Sequence, residues 1–175
     1  MLVSADASVL LLVDLQERLV PALHEGPSVV AAAGRLARAA ALLGVPVRAT
    51  EQYPQGLGPT VPELAGHPVL TKTAFSAVAD PGFARFLPDG AEEVVVAGAE
   101  AHVCVLQTVL GLLAQRRRVL VVADAVGSRR PADRDAALDR LRRHGAEVLT
   151  SEMVLFEWLR DSTHPRFREV HALLR

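Results

Sequence analysis

The stretch "EVVVAGAEAHVCVLQTVLGLLAQ", residues 93–115, decides the fold class. Residues 93–98 are apolar at nearly every position rather than at alternate ones, as a strand buried on both faces of a parallel sheet requires. After Gly98 and a short link, residues 102–116 have the length and apolar spacing of a helix. A strand followed directly by a helix is half of a βαβ unit, so this stretch predicts an α/β fold.

The same alternation of strands and helices continues on both sides of this stretch. Further strands are predicted at residues 8–14, 45–50, 68–72, 118–124 and 146–150. Further helices are predicted at residues 28–43, 80–87, 131–144, 151–160 and 165–175. Residues 51–68 contain four prolines and three glycines and are predicted to form a long loop. We therefore predict a single domain over residues 1–175, with three α/β/α layers around a mostly parallel, Rossmann-like six-stranded sheet.

Composition narrows the class of protein. Half of the 175 residues are apolar, 22% are charged, and the net charge is −1. Because there is no basic stripe, no nucleic-acid partner is expected. The N-terminal apolar run is too short for a signal peptide or a membrane span, and the one cysteine excludes an internal disulfide. These features predict a cytoplasmic protein with no membrane partner.

Three chemically reactive side chains fall at or beyond the ends of predicted strands. Asp14 ends the first strand, Lys72 ends the third, and Cys104 lies six residues beyond the fourth. With a strand order of about 3-2-1-4-5-6, strands 1 and 4 flank the crevice where α/β sheets bind ligands. We therefore predict that the three side chains meet at one edge of the sheet.

Each of the three residues also has a structural interpretation. Asp14 could be a helix cap, Lys72 a surface residue whose stem covers apolar atoms, and Cys104 a core residue. If Cys104 is functional, its place near a helix N-terminus is expected to lower the pKa of its thiol. Taken together, the three positions favour a site over three unrelated structural roles.

Weaker candidates surround this predicted site. Gln16, Tyr53, Phe75 and His102 are predicted to line a substrate pocket, although the two aromatic residues could equally be packing residues. His102 precedes Cys104 by two positions, a spacing at which side chains diverge, so it is expected to be a structural or pocket-edge residue. The other five histidines have no metal-ligand spacing, so no metal is expected. The first strand is followed by "DLQERL" rather than Gly-x-Gly-x-x-Gly, so no nucleotide cofactor is expected.

Six stretches together resemble the isochorismatase-like cysteine hydrolases, and most closely the small isochorismatase-domain-containing proteins. The stretches are "LLVDLQ", "TEQYPQGLGPTVPEL", "KTAFS", "GAEAHVCVLQT", "VVADAVGSR" and "TSEMVLFEWL", which extend over nearly the whole chain. The resemblance implies that Asp14, Lys72 and Cys104 are the family's catalytic triad. It also implies a non-proline cis peptide at Ala99–Glu100 and an oxyanion hole formed by the backbone N–H groups of Glu100 and Cys104.

The resemblance further implies a hydrolase for a small amide, imide or ureide, acting through a thioester without a cofactor, in a homo-oligomer. The metal-binding nicotinamidases of the family have Asp-x-His and a second histidine after the second strand. This chain has "EQYPQGLG" there, so nicotinamidase activity is not expected. Family members that hydrolyse isochorismate itself typically lack the cysteine, which counts against that reaction here.

Other functions remain open from sequence alone. The chain could be a catalytically silent binding or scaffold protein on the same fold, or it could hydrolyse an ether bond as isochorismatases do. A redox-sensing thiol is a further alternative, although there is no second cysteine to resolve a sulfenic acid.

Overall fold

The computed structural model of the protein describes residues 1–174. Its six strands are Ser8–Val13 (β1), Val47–Gln52 (β2), Val69–Lys72 (β3), Glu93–Ala99 (β4), Arg118–Gly127 (β5) and Glu147–Leu149 (β6). Its α-helices are Gly26–Leu43 (α1), Pro54–Leu57 (α2), Phe83–Phe86 (α3), Leu106–Ala114 (α4), Pro131–Arg143 (α5), Ser151–Leu159 (α6) and Phe167–Ala172 (α7). A π-helical turn at Ala101–Val105 leads directly into α4.

The sheet confirms the predicted fold class and strand order. Its order is β3-β2-β1-β4-β5-β6, and all five pairs of neighbouring strands are parallel. The order reverses between β1 and β4, which lie side by side with Val13 opposite Gly98. Both strands are buried along their whole length, which explains their uninterrupted apolar sequences.

Helices cover both faces of the sheet. One buried cluster joins α1, α6 and α7 to side chains such as Leu10 and Leu12 of β1, and the other joins α3, α4 and α5 to Leu11 and Val13. Successive residues of β1 therefore pack into opposite layers, as the two-residue period of a strand dictates. Within residues 1–174, no helix has both the length and the apolar character needed to cross a membrane.

Three of the predicted helices are shorter or less regular than the sequence-based expectation. The helix predicted at 80–87 is only a 3₁₀ turn at Ala77–Ala79 followed by the single turn of α3. The helix predicted at 102–116 begins as a π-turn and ends at Ala114. The last predicted helix, 165–175, is the shorter α7, and Arg175 lies outside the described residues.

Gly98 makes the close approach of β4 to β1 possible. Its φ is +144°, and a Cβ atom at this position would lie 2.2 Å from the backbone oxygen of Val13. The obstacle is backbone rather than a flexible side chain, so it cannot move aside. Residue 98 must therefore be glycine for the strands on either side of the crevice to pair.

We expect Gly98→Ala to lower the free energy of unfolding by about 3 kcal/mol, because it combines steric overlap with an unfavourable φ. Gly90→Ala is the matched control, since Gly90 also has positive φ (+78°) but no atom lies within 4 Å of an added Cβ. The control should cost only about 1 kcal/mol. Equal losses in the two variants, measured by urea denaturation, would show that contact with Val13 is unimportant.

Candidate active site

A buried ion pair lies at the carboxyl edge of the sheet, where β1 and β3 end. The Lys72 Nζ donates to Asp14 Oδ2 at 2.7 Å, and both side chains are completely buried. The ammonium group also donates to the backbone oxygens of Ala74 and Phe75, at 3.2 and 3.1 Å. Three acceptors match the three donors of the ammonium, so the lysine is held in one position. The structural interpretation of Lys72 as a surface residue is therefore wrong.

Thr50, on β2, holds the other oxygen of the Asp14 carboxylate. Its hydroxyl donates to Asp14 Oδ1 at 2.6 Å, and its backbone oxygen accepts from the Asp14 N–H at 3.1 Å. Asp14 itself has a φ of +50°, in the left-handed region where short polar residues are best tolerated. The carboxylate is thus fixed from two neighbouring strands.

We expect Thr50→Val to lower the free energy of unfolding by about 2 kcal/mol, because it leaves a buried carboxylate oxygen without its donor. Once a substrate is known, turnover should fall by about tenfold as the carboxylate loses its orientation. Thr50→Ser keeps the hydroxyl and should retain most of both properties. Chemical denaturation of the two variants measures the first effect, and a loss as large in Thr50→Ser as in Thr50→Val would show that the hydroxyl does not account for the stability.

Cys104 is the fourth residue of the π-turn that follows β4, and it is only 6% exposed. Burial raises the pKa of its thiol to about 12, and the Asp14 charge raises it too, while the Lys72 charge lowers it. The sequence had suggested a lowered pKa from a helix N-terminus, and that expectation is wrong. Desolvation is the largest cause of the raised pKa of Cys104, and a thiol with a pKa of about 12 is protonated at neutral pH.

The segment between β4 and Cys104 has the predicted peptide geometry. The Ala99–Glu100 bond is cis, as the resemblance implied. The carboxylate of Glu100 accepts from the Arg129 Nε at 2.8 Å and from the Arg129 backbone N–H at 3.3 Å. His102 Nδ1 lies 3.0 Å from the hydroxyl of Ser128. Two side-chain contacts therefore join this segment to the residues that follow β5.

The predicted pocket residues fall into different environments. Gln16 is fully buried, and its side-chain amide donates both hydrogens to the backbone oxygens of Gln52 and Gly58. These bonds favour a role in fixing the loop after β2 over the predicted pocket role. Tyr53 and Phe75 are 54% and 51% exposed and are thus available to a ligand. His102 is partly exposed and contacts Ser128.

Sequence analysis missed Thr50, Ser128 and Arg129. Thr50 stands near the end of a predicted strand, so the rule that directed attention to Asp14 and Lys72 could have found it. Ser128 and Arg129 follow β5, which runs three residues beyond its predicted end because of a register shift against β4. An irregularity of that kind leaves no clear signal in the sequence.

An all-parallel sheet in this order, with an aspartate, a lysine and a cysteine at its point of reversal, defines an α/β protein of the isochorismatase-like hydrolase fold. The Isochorismatase domain model matches residues 8–153. Isochorismatase domain-containing protein 2A of Mus musculus is 42% identical over 97% of this chain and 84% of its own length. The chain therefore belongs to the isochorismatase family.

Solved structures agree with this assignment. A structure described as MAR1 ribonuclease from Caenorhabditis elegans has a TM-score of 0.94 and 38% identity, covering 99% of this chain and 92% of that one. YcaC from Pseudomonas aeruginosa, described with covalent acrylamide, has a TM-score of 0.88 and 26% identity, covering 99% and 90%. YcaC from Escherichia coli is described as an octameric hydrolase of unknown specificity. It has a TM-score of 0.85 and 26% identity, covering 99% of this chain and 87% of that one.

Proposed function

We propose that this protein is a cysteine hydrolase that cleaves the C–N bond of a small amide, imide or ureide. The observation that carries the proposal is the Asp14–Lys72 ion pair, buried at 2.7 Å, beside the only thiol of the chain. Burying two charges in this way costs several kcal/mol per ion unless the pair is well satisfied. A thiol with a perturbed pKa, beside buried charges at the crevice of an α/β sheet, is typical of a catalytic site.

In the proposed reaction, Asp14 accepts the proton of the Cys104 thiol as the sulfur attacks the substrate carbonyl carbon. The tetrahedral intermediate collapses, the C–N bond breaks, and Asp14 returns the proton to the leaving nitrogen. The acyl group then remains on Cys104 as a thioester. Asp14 next takes a proton from a water molecule while the water oxygen attacks the thioester carbonyl. The C–S bond then breaks, and the sulfur recovers the proton from Asp14.

Lys72 supports this cycle without exchanging a proton. Its three hydrogen bonds hold the ammonium against Asp14, where its positive charge compensates the buried carboxylate. Because the pKa of Cys104 is raised, the thiol is protonated when the substrate binds and needs a general base, the role proposed for Asp14. The backbone N–H groups of Glu100 and Cys104 are proposed to bind the oxyanion, and each such donor contributes about 3 kcal/mol.

The thiol is nearly closed to solvent, which favours a small substrate. At 6% exposure, Cys104 can be reached by compact molecules but not by a folded chain. Tyr53 and Phe75 provide exposed aromatic surface that could border such a substrate. YcaC from Pseudomonas aeruginosa is described with covalent acrylamide, a compact molecule that bonds to nucleophiles through its alkene, so it supports a reactive nucleophile in that relative but not cleavage of an amide.

A homo-oligomer is also proposed, because the related YcaC of Escherichia coli is described as octameric. Met153 and Phe156 of α6 are more than one-third exposed and offer apolar surface for contact between subunits. Light scattering coupled to size-exclusion chromatography measures the assembly. A mass equal to that of one chain at micromolar concentration would exclude it.

The proposed reaction is tested by a screen of small amides, imides and ureides, with RNA oligonucleotides included because of the C. elegans description. We expect hydrolysis of at least one small compound and, after acid quench, a mass increase on the protein equal to the acyl group. A site that hydrolyses RNA but no C–N compound would overturn the proposal. A thiol that resists iodoacetamide in the native protein, with no compound hydrolysed, would favour the silent binding protein.

A further inference from the structure

Glu100 directly precedes the π-turn that contains Cys104, so a second carboxylate besides Asp14 stands close to the thiol. The charged groups that act on its thiol are Asp14, at the end of β1, Lys72, at the end of β3, and Glu100, just after β4. They amount to two carboxylates against one ammonium. Both carboxylates disfavour a thiolate, so an additional positive charge near Glu100 would ease proton removal from Cys104.

Arg129 is placed to supply that charge. Its Nε donates to Glu100 Oε1 at 2.8 Å, and its backbone N–H reaches the same oxygen at 3.3 Å. The Glu100 side chain is 11% exposed, whereas that of Arg129 is 62% exposed. Glu100 is therefore a nearly buried anion near the thiol, covered on its outer side by a guanidinium.

We propose that Arg129 is a positioning residue that compensates the charge of Glu100, so that Glu100 can stay beside Cys104 without suppressing the thiolate. The inference rests on the proposed function, since it assigns Arg129 a part in forming the nucleophile. The backbone of residue 100 is held close to Cys104 for a separate reason, because its N–H is proposed to bind the oxyanion. A purely mechanical link between the loops is a different hypothesis, and the contact of His102 with Ser128 would already provide one.

The two hypotheses predict different changes in the alkylation rate of Cys104 for the same pair of substitutions. Cys104 is the only cysteine, so the rate of iodoacetamide alkylation, followed by intact mass, reports on that thiol alone. Iodoacetamide is uncharged, so its own approach does not depend on the local potential. Charge compensation requires Arg129→Ala to slow alkylation and Glu100→Gln to speed it, whereas a mechanical link requires both to shift the rate in one direction.

At pH 8 we expect Cys104 to be alkylated about threefold more slowly in Arg129→Ala than in wild type, and about threefold faster in Glu100→Gln. Changes of this size are typical of a partly exposed ion pair. The double variant has no charge at either position and should return to within about 1.5-fold of wild type. Arg130→Ala is the matched control, since Arg130 is the adjacent exposed arginine and makes no ion pair within residues 1–174; its rate should be unchanged. Thermal unfolding should confirm that all four variants are folded at the assay temperature.

Shifts in the same direction for Arg129→Ala and Glu100→Gln would overturn the inference, as would a double variant as slow as Arg129→Ala. These results are separable from failure of the proposed function. Opposite shifts in the alkylation rate, in a protein that hydrolyses no C–N compound, would contradict the proposed reaction but support the charge compensation. Hydrolysis that depends on Cys104, without opposite shifts in the alkylation rate, would support the proposed reaction and overturn the charge compensation.

Discussion

Cys104→Ala should reduce turnover of any substrate found by at least about 10³-fold, because it removes the atom that forms the covalent bond. It should also abolish modification by iodoacetamide, since no other cysteine is present. The fold should survive, because alanine fits within the volume left by the cysteine. Steady-state kinetics, intact mass and a thermal unfolding curve together measure the three effects.

The matched control is Gln115→Ala, which changes an exposed residue at the opposite end of the same helical segment from Cys104. It should leave turnover within about twofold of wild type. A Cys104→Ala protein with normal turnover would exclude a thioester. The carboxylate would then remain as the centre of an ether hydrolysis of the isochorismatase kind, the alternative that the sequence left open.

Lys72→Met should lower the free energy of unfolding by about 3–5 kcal/mol, because it leaves the buried carboxylate of Asp14 without its counter-ion. For a domain of this size the melting temperature should fall by about 10 °C. Methionine retains most of the lysine stem, so packing losses are kept small. Turnover should fall more than the apparent affinity for substrate, since Lys72 is proposed to act on Asp14 and not on the substrate.

Combining Asp14→Asn with Lys72→Met tests whether the lost stability comes from the charge. With both charges removed, the double variant should recover a large part of the stability lost in Lys72→Met, as is common for buried ion pairs. It should remain inactive. A double variant as unstable as the sum of the two single variants would show that packing, rather than an unpaired carboxylate, causes the loss.

Much of the fold follows from the sequence because parallel strands buried on both faces leave a strong signal. The runs that became β1, β4 and β5 are apolar at nearly every position, and glycine or proline stands near the ends of α1 and α5. The strand order then brings Asp14 and Lys72 together from residues 58 positions apart. The carboxyl-edge rule was enough to find that pair.

Properties that depend on the depth of burial could not be predicted in the same way. The pKa of Cys104 is raised chiefly by burial, and sequence does not give the exposure of a side chain. Gln16 lies at the same edge as Asp14, yet its amide is taken up by backbone oxygens of the following loop. The partners of Glu100 depend on the register shift in β5, which no periodic pattern reveals.

The most direct test compares the rate of Cys104 alkylation with the rate of substrate hydrolysis in Asp14→Asn. In the proposed mechanism, burial and the Asp14 charge together keep the resting thiol protonated, and Asp14 takes the thiol proton only during the reaction. Removing the carboxylate charge should therefore speed alkylation of Cys104 at pH 8, by about tenfold, because a nearby anion no longer opposes the thiolate. Hydrolysis should fall by about 10²–10⁴-fold, because the general base is gone.

Thr50→Val is the control, since it disturbs the same carboxylate but keeps its charge, and it should not speed alkylation. Both proteins must be folded at the assay temperature, so that faster alkylation cannot come from an exposed thiol. Faster alkylation together with lost hydrolysis in Asp14→Asn is the predicted result. Alkylation and hydrolysis that fall in parallel would mean that Asp14 maintains a thiolate in the resting protein, and would contradict the account.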